Sequence, residues 1–293
     1  MKQNMSPFNH MRKWIKARSM LNIPGRDIKD DLIRFFEEKS YSGFRTWEGF
    51  TWGLSTEQWY GIIPHFAGPY FTGSLLSVFE EEPFIVRDYP VLPPYEEYKT
   101  FLVDTVRPTI KTIPDKISDY VVHPKINGAE VRFFILPSGK FWGKTRFIEY
   151  VDRNAGYNMN FLLLLEIAGY AEKVERLCRD HQVVVFGTLF GKYIPGGYHK
   201  YECESDFRAY DLVDLNTDDF LPWEKVQSLL NEYGIPCIDV LDNTEDILST
   251  VEDEGGVYFK KYLPDNEISI HEIHSKSEDE SRDQELLVLW NDT

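Results

Sequence analysis

Hydrophobic and polar positions along the chain alternate in two distinct periods. Between Val121 and Val151 apolar residues dominate two runs, Val121–Leu136 and Phe141–Val151, separated by Pro137-Ser-Gly-Lys140, which predicts two strands around a turn. The period then lengthens: Leu162, Leu163, Ile167, Ala168, Ala171, Val174 and Leu177 recur at three-to-four spacing and predict a helix over 160–180. The β-branched run of Gln182–Phe186 and the segment Phe207–Val213 read as strands, Pro222–Tyr233 as a helix opened by proline, and Gly255–Lys261 as a further strand. Strands dominate, with two or three helices to cover them.

Upstream, the acidic turn Glu80-Glu-Glu-Pro83 separates Thr72–Phe79 from Phe84–Asp88, a hairpin pattern, and Tyr89–Pro94 reads as an extended connector. Residues 40–73 are rich in Trp, Tyr, Phe and Gly and suit short strands and turns. Residues 11–39 carry Leu21, Ile28, Leu32, Ile33 and Phe36 at helical spacing, interrupted by Pro24-Gly25. They read as surface helices on a core, the competing reading being a basic nucleic-acid arm. The serine-rich, acidic stretch 275–285 reads as a solvated loop or helix start.

Composition adds boundaries to this picture. A chain of 293 residues with 42% hydrophobic and 15% aromatic residues can bury a core and can hold two domains, or one with an appended module. The longest apolar run, Phe161–Leu165, is far short of a membrane span, and no secretory signal pattern is present, so a soluble cytoplasmic protein is expected. Cys178, Cys203 and Cys237 are odd in number and widely spaced, which predicts ordinary thiols. A formal charge of -16 excludes broad, non-specific affinity for nucleic acid and confines any such contact to a restricted surface.

Chemistry concentrates in His123-Pro-Lys125-Ile-Asn127-Gly128. A lysine amine is a nucleophile when its surroundings suppress its charge, and a nearby glycine lets a phosphate approach the backbone. Four further patterns follow in order: Phe141-Trp-Gly-Lys144-Thr-Arg146, Val183–Gly187 followed by Thr188, Asp206-Phe207-Arg-Ala-Tyr210-Asp211, and Glu252-Asp-Glu254-Gly-Gly-Val257. Taken alone, each has a bland reading as a turn, a core strand or a surface charge.

In this order the five patterns resemble the nucleotidyltransferase domain shared by ATP-dependent RNA ligases, DNA ligases and mRNA capping enzymes, and look most like RNA ligases of the bacteriophage and archaeal types. The resemblance implies an α+β fold of antiparallel sheets flanked by helices (an ATP-grasp-like ligase fold) over 71–280, an appended module over 1–70 that could receive a protein partner, and a tail over 281–293. It implies Lys125 as the residue that accepts AMP from ATP, and Glu254 as the acid that assists it and holds Mg²⁺ or Mn²⁺. Asn127, Gly128, Arg132, Arg146, Lys260 and Lys276 are expected at the nucleotide, with Lys144, Thr188, Tyr210 and His274 as secondary candidates. A purine needs a flat apolar platform, and strict alternation would set Phe207, Ala209 and Asp211 on one face, favouring Phe207 over Tyr210.

The chain departs from the family at three places. Asn127 stands where Asp or His is usual, and Thr188 where Glu is usual. Glu272 and His274 fall where two lysines normally meet the α-phosphate, with Lys276 two residues further on. The implied activity is sealing of RNA 5′-phosphate to 3′-hydroxyl ends. Two other readings compete: a degenerate ligase-like module that binds RNA or protein without chemistry, and GTP-dependent capping.

Overall fold

In the computed structural model the described residues are 51–55, 58–62, 75–77, 84–87, 89, 101–103, 117–137, 139–144, 161–192, 194, 200–254, 256–263 and 268–275. The backbone divides into two compact units, Met1–Pro93 with Asn127–Ile238 and Tyr262–Ile268, and Pro94–Ile126 with Asp239–Lys261 and Ser269–Thr293. Antiparallel pairing predominates among the described strands, and helices cover the sheets, as the α+β expectation requires.

The first unit contains two sheets. Strands β1 (Thr51–Ser55), β2 (Gln58–Ile62), β3 (Leu75–Ser77) and β4 (Phe84–Val86) form an antiparallel meander, which includes the expected hairpin and joins it to strands ahead of residue 70. The second sheet runs β10-β9-β7-β8, built from β7 (Ala129–Ile135), β8 (Phe141–Lys144), β9 (Val183–Phe190) and β10 (Asp206–Asp214), with β5 (Phe101–Val103) and β6 (Val121–Pro124) preceding them in the other unit.

One face of the β10-β9-β7-β8 sheet is packed by helices α1 (Phe161–Ile167), α2 (Ala171–His181) and α3 (Trp223–Glu232). Val131 and Phe133 of β7, Val185 and Leu189 of β9, and Phe207 of β10 meet Leu165, Leu177 and Leu229 in that core. Helix α1 stops where one continuous helix was expected. Gly169 adopts φ +81°, and the amides of Gly169 and Tyr170 turn back onto the carbonyls of Glu166 and Leu165, the left-handed glycine ending that closes many helices.

In the second unit the sheet order is β5-β12-β11-β6, with β11 (Gly256–Tyr262) and β12 (Ile268–Ser275). Its core joins Val122, Val257 and Phe259 to Ile247 and Val251 of helix α4 (Thr244–Glu254). This helix was not expected. Its start is legible afterwards, since Asn243 Oδ1 accepts the Asp246 amide at 2.9 Å while its Nδ2 donates to the Asp246 carboxylate at 2.6 Å, a capping-box arrangement. Its end was hidden, because Glu252, Asp253 and Glu254 occupy the last turn, where the helix dipole disfavours negative charge.

The expected single strand Val121–Leu136 is two strands in two sheets, with Lys125–Gly128 as the crossing. A side chain at 128 would run into the Leu189 carbonyl oxygen and Thr188 of β9. The glycine is therefore demanded by chain packing where the backbone changes sheets, independently of any phosphate.

Candidate active site

Strand alternation in the second unit sorts apolar from chemical side chains. Val122, Val257 and Phe259 point to α4, so His123, Tyr258 and Lys260 take the opposite face. Lys125 follows β6 directly and is half-buried; its amide donates to the Gly256 carbonyl at 3.0 Å. Two motifs separated by more than 120 residues thereby meet, because Gly256 lies two positions after Glu254. The side chain of Glu254 lies outside the described residues.

His123 and Lys260 are both buried, and the His123 ring lies 5.6 Å from that of Tyr258. Burial and then the Lys260 charge push the His123 pKa down to about 3, against a smaller opposing effect of its contact with the Pro124 carbonyl. The imidazole is neutral at physiological pH and adds no positive charge beside Lys260. Lys261 points elsewhere, 4.0 Å from the Asp119 carboxylate and over the Tyr120 ring.

In the first unit Arg132 lies directly across from Lys144, and both are essentially buried, on the face of the sheet away from α1–α3. Like charges in directly opposed strand positions repel, and a guanidinium beside an ammonium is a chemistry that suits an anion. Thr188, also buried, stands between Glu130 and Arg208 in the same cross-strand row. A threonine can offer one hydroxyl there but no charge.

Strand β10 corrects the purine-platform expectation. Phe207 is fully buried on the helix-facing side, edge-on to Phe133 at 5.7 Å, and its ring fills the space a side chain at Gly187 would need. A bulge between Ala209 and Asp211 breaks the alternation, so Asp211 does not share the face of Phe207 and Ala209. Tyr210 instead packs against Tyr89, 5.1 Å away, and Tyr89 also contacts Phe186 and Phe220. Buried Asp211 accepts hydrogen bonds from Tyr89 Oη at 2.5 Å and Tyr262 Oη at 2.6 Å. Burial first and then the Asp211 charge raise both phenol pKa values, which keeps the hydroxyls protonated as donors.

Sequence reasoning overlooked Asp211 with its two tyrosines, and His123 as a partner of Lys260; the sole signal was the Tyr-Asp pair in the aromatic motif. Arg146 and Lys276 lie outside the described residues, as do the side chains of Glu272 and His274, whose backbone forms part of β12. Among the described residues no group of three His, Cys, Asp or Glu side chains could hold a metal ion, and no helix is long and apolar enough to cross a membrane.

These features, two sheets each with one helix-packed face and one face bearing cations, define a nucleotidyltransferase-type ligase fold. The RNA ligase family profile matches residues 118–284, more than half of the chain, and the chain belongs to that family. It is similar in structure to two crystal forms of an archaeal ATP-dependent RNA ligase. Form 1 has TM-score 0.55 and 21% identity, over 84% of this chain and 64% of that one; form 2 has TM-score 0.54 and 21% identity, over 78% and 59%. A putative ATP-dependent DNA ligase from Aquifex aeolicus is also similar, at TM-score 0.51 and 15% identity over 84% and 62%. The chain thus spans about three fifths of the length of these solved structures. No curated relative matches it significantly.

Proposed function

We propose that the chain is an ATP-dependent RNA ligase that works through a lysyl-adenylate. The observation that carries this reading is the 3.0 Å hydrogen bond from the Lys125 amide to the Gly256 carbonyl, which fixes the lysine motif beside the Glu254-Gly-Gly motif. In this reading Lys125 Nζ attacks the α-phosphorus of ATP, a P–N bond forms, the P–O bond to pyrophosphate breaks, and the amine proton is lost, with Glu254 as its acceptor. AMP then passes to an RNA 5′-phosphate. Attack by a 3′-hydroxyl joins the ends and expels AMP.

The chemistry needs positive charge around a phosphate that gains charge on attack; Lys260 is a buried cation in the same unit as Lys125, and Arg132 and Lys144, buried in the other unit, are candidates for additional phosphate contacts. Asn127 and Gly128 join Lys125 to β7, Arg146 and Lys276 are further phosphate-binding candidates, and Tyr210 takes over from Phe207 as the purine platform. Glu254, a hard oxygen donor, would hold a Mg²⁺ or Mn²⁺ ion, which would supply charge neutralisation for the leaving pyrophosphate. The ligase domain runs over 71–280, with 1–70 as an appended module.

Incubation with α-labelled ATP and Mg²⁺ or Mn²⁺ tests the proposal. The expected result is a covalently labelled protein whose label is acid-labile and absent in Lys125→Ala. A wild-type chain that takes up no label with either ion overturns it.

A further inference from the structure

At the end of the β9–β10 pair three side chains cluster around the Phe190 ring, a grouping that adenylate chemistry does not require. The Arg208 guanidinium lies over the Phe190 ring, 5.4 Å from its centroid, and Tyr201 packs against the same ring with centroids 4.8 Å apart and planes tilted at 56°. Arg208 is held in place by Asp206, whose Oδ2 accepts its Nη1–H at 2.8 Å, and by the Phe207 carbonyl at 2.9 Å. The guanidinium is nonetheless 30% exposed, Tyr201 is half-buried, and Phe190 between them is buried. The cluster thus has a dry centre and two accessible ends.

Its surroundings mix charges, with Lys192, Lys200 and Arg208 interleaved with Glu202, Glu204 and Asp206. Lys192 and Lys200 flank the cluster, the former 3.6 Å from Glu204 in an exposed pair that salt or a competing phosphate would readily displace. The backbone under them is braced, since the Lys192 amide donates to the Cys203 carbonyl at 3.0 Å and Gly191, at φ +142°, lies where a side chain would strike the Glu204 carbonyl. Aromatic and guanidinium planes interleaved with lysines are the elements that bind unpaired nucleic acid, each exposed plane offering a base a stacking surface regardless of its identity.

We propose that the Arg208–Phe190–Tyr201 cluster docks an unpaired nucleotide of the RNA strand, its base stacking on an exposed plane and its phosphates meeting Lys192 and Lys200. This rests on the ligase reading and adds to it the sequence-independent hold on single-stranded RNA. The site binds substrate RNA and takes no part in adenylate transfer.

Fluorescence anisotropy of the full chain with a labelled, 5′-phosphorylated oligouridylate tests it, in parallel with α-labelled ATP uptake. Tyr201→Ala is expected to weaken RNA binding about tenfold and Tyr201→Phe to keep it. Arg208→Lys, which retains charge but loses the plane, is expected to weaken it several-fold. All three variants are expected to keep wild-type ATP labelling and melting temperature. Unchanged RNA affinity in Tyr201→Ala, or no RNA binding by a wild-type chain that labels normally, overturns the inference. ATP labelling that falls in step with RNA binding also overturns it, by assigning the cluster to the nucleotide. Failure of the ligase reading is a separate result, seen as absence of label on the wild-type chain.

Discussion

The two faces of the β10-β9-β7-β8 sheet carry opposite chemistry. Toward the helices lie Val131, Phe133, Val185, Leu189 and Phe207, and away from them Arg132, Lys144, Thr188 and Asp211. The smaller sheet repeats the division, with Val122, Val257 and Phe259 toward α4 and His123 and Lys260 opposite. A buried apolar residue stabilises by leaving water, whereas a buried cation costs desolvation unless something negative accompanies it. The first face therefore accounts for folding, and the second concentrates the buried charged and polar groups.

The sharpest break between the faces comes from Lys125→Ala. Nucleotide labelling is expected to fall to background, because no other group replaces a covalent nucleophile. The half-buried side chain contributes little to the core, so the denaturation midpoint is expected to stay within the range of surface substitutions, about 0.5 kcal/mol. Retained labelling would relocate the nucleophile.

Phe207→Ala and Tyr210→Ala set the two faces of one strand against each other. Truncating Phe207 empties the helix-side core around Phe133 and is expected to cost about 3–5 kcal/mol in urea unfolding, with the KM for ATP unchanged in the folded protein. Tyr210→Ala is expected to raise that KM about tenfold, by loss of a stacking surface. A raised KM in Phe207→Ala without loss of stability would reverse the face assignment and restore the alternation that the bulge interrupts.

The second face also makes stability depend on pH. His123 titrates near 6.5 when unfolded but at about 3 when folded, so below about pH 6.5 the unfolded chain binds a proton that the folded chain refuses. Its contribution is complete above that pH and is lost as pH falls toward 3, at no more than about 1.4 kcal/mol per pH unit. Between pH 6.5 and 5 the wild type is expected to lose about 2 kcal/mol more than His123→Gln, measured as the difference between their urea midpoints. Parallel curves would mean that His123 is protonated in the fold.

Much of this was legible in the sequence, and the misses share a cause. The strands at 183–190 and 206–214 and the helix at 223–232 announced themselves because local periodicity and tertiary burial agree there. The motifs singled out Lys125 and Lys260; Lys125 directly follows β6, and Lys260 lies on the side of its sheet away from α4. Alternation set Phe207 and Ala209 on one face, but that face is the one the helices cover, and Asp211 leaves it through a bulge after Ala209 that depends on pairing with β9, which no local pattern encodes. The split at Lys125–Gly128 was missed for a similar reason: the apolar run continues unchanged through a point where the chain changes sheets. Asp211 escaped notice because its partners, Tyr89 and Tyr262, are 122 and 51 residues away.

Helix α4 gives the smallest and most local test. It is the element on which both faces of the second unit converge, since Ile247 and Val251 fill the core while its last residue is Glu254. Asn243→Ala removes the acceptor of the Asp246 amide and is expected to cost about 1 kcal/mol of stability. Because the acidic last turn already opposes the helix dipole, weakening the first turn should fray the helix from both ends, and ATP labelling is expected to slow by a small factor. Asn243→Asp keeps the acceptor for the amide but sets a carboxylate against that of Asp246 in place of the amide donor, and is expected to recover only part of both losses. If Asn243→Ala lowers stability by that amount and leaves the labelling rate untouched, the helix serves the core alone, and Glu254 is held by its pairing strand rather than by α4.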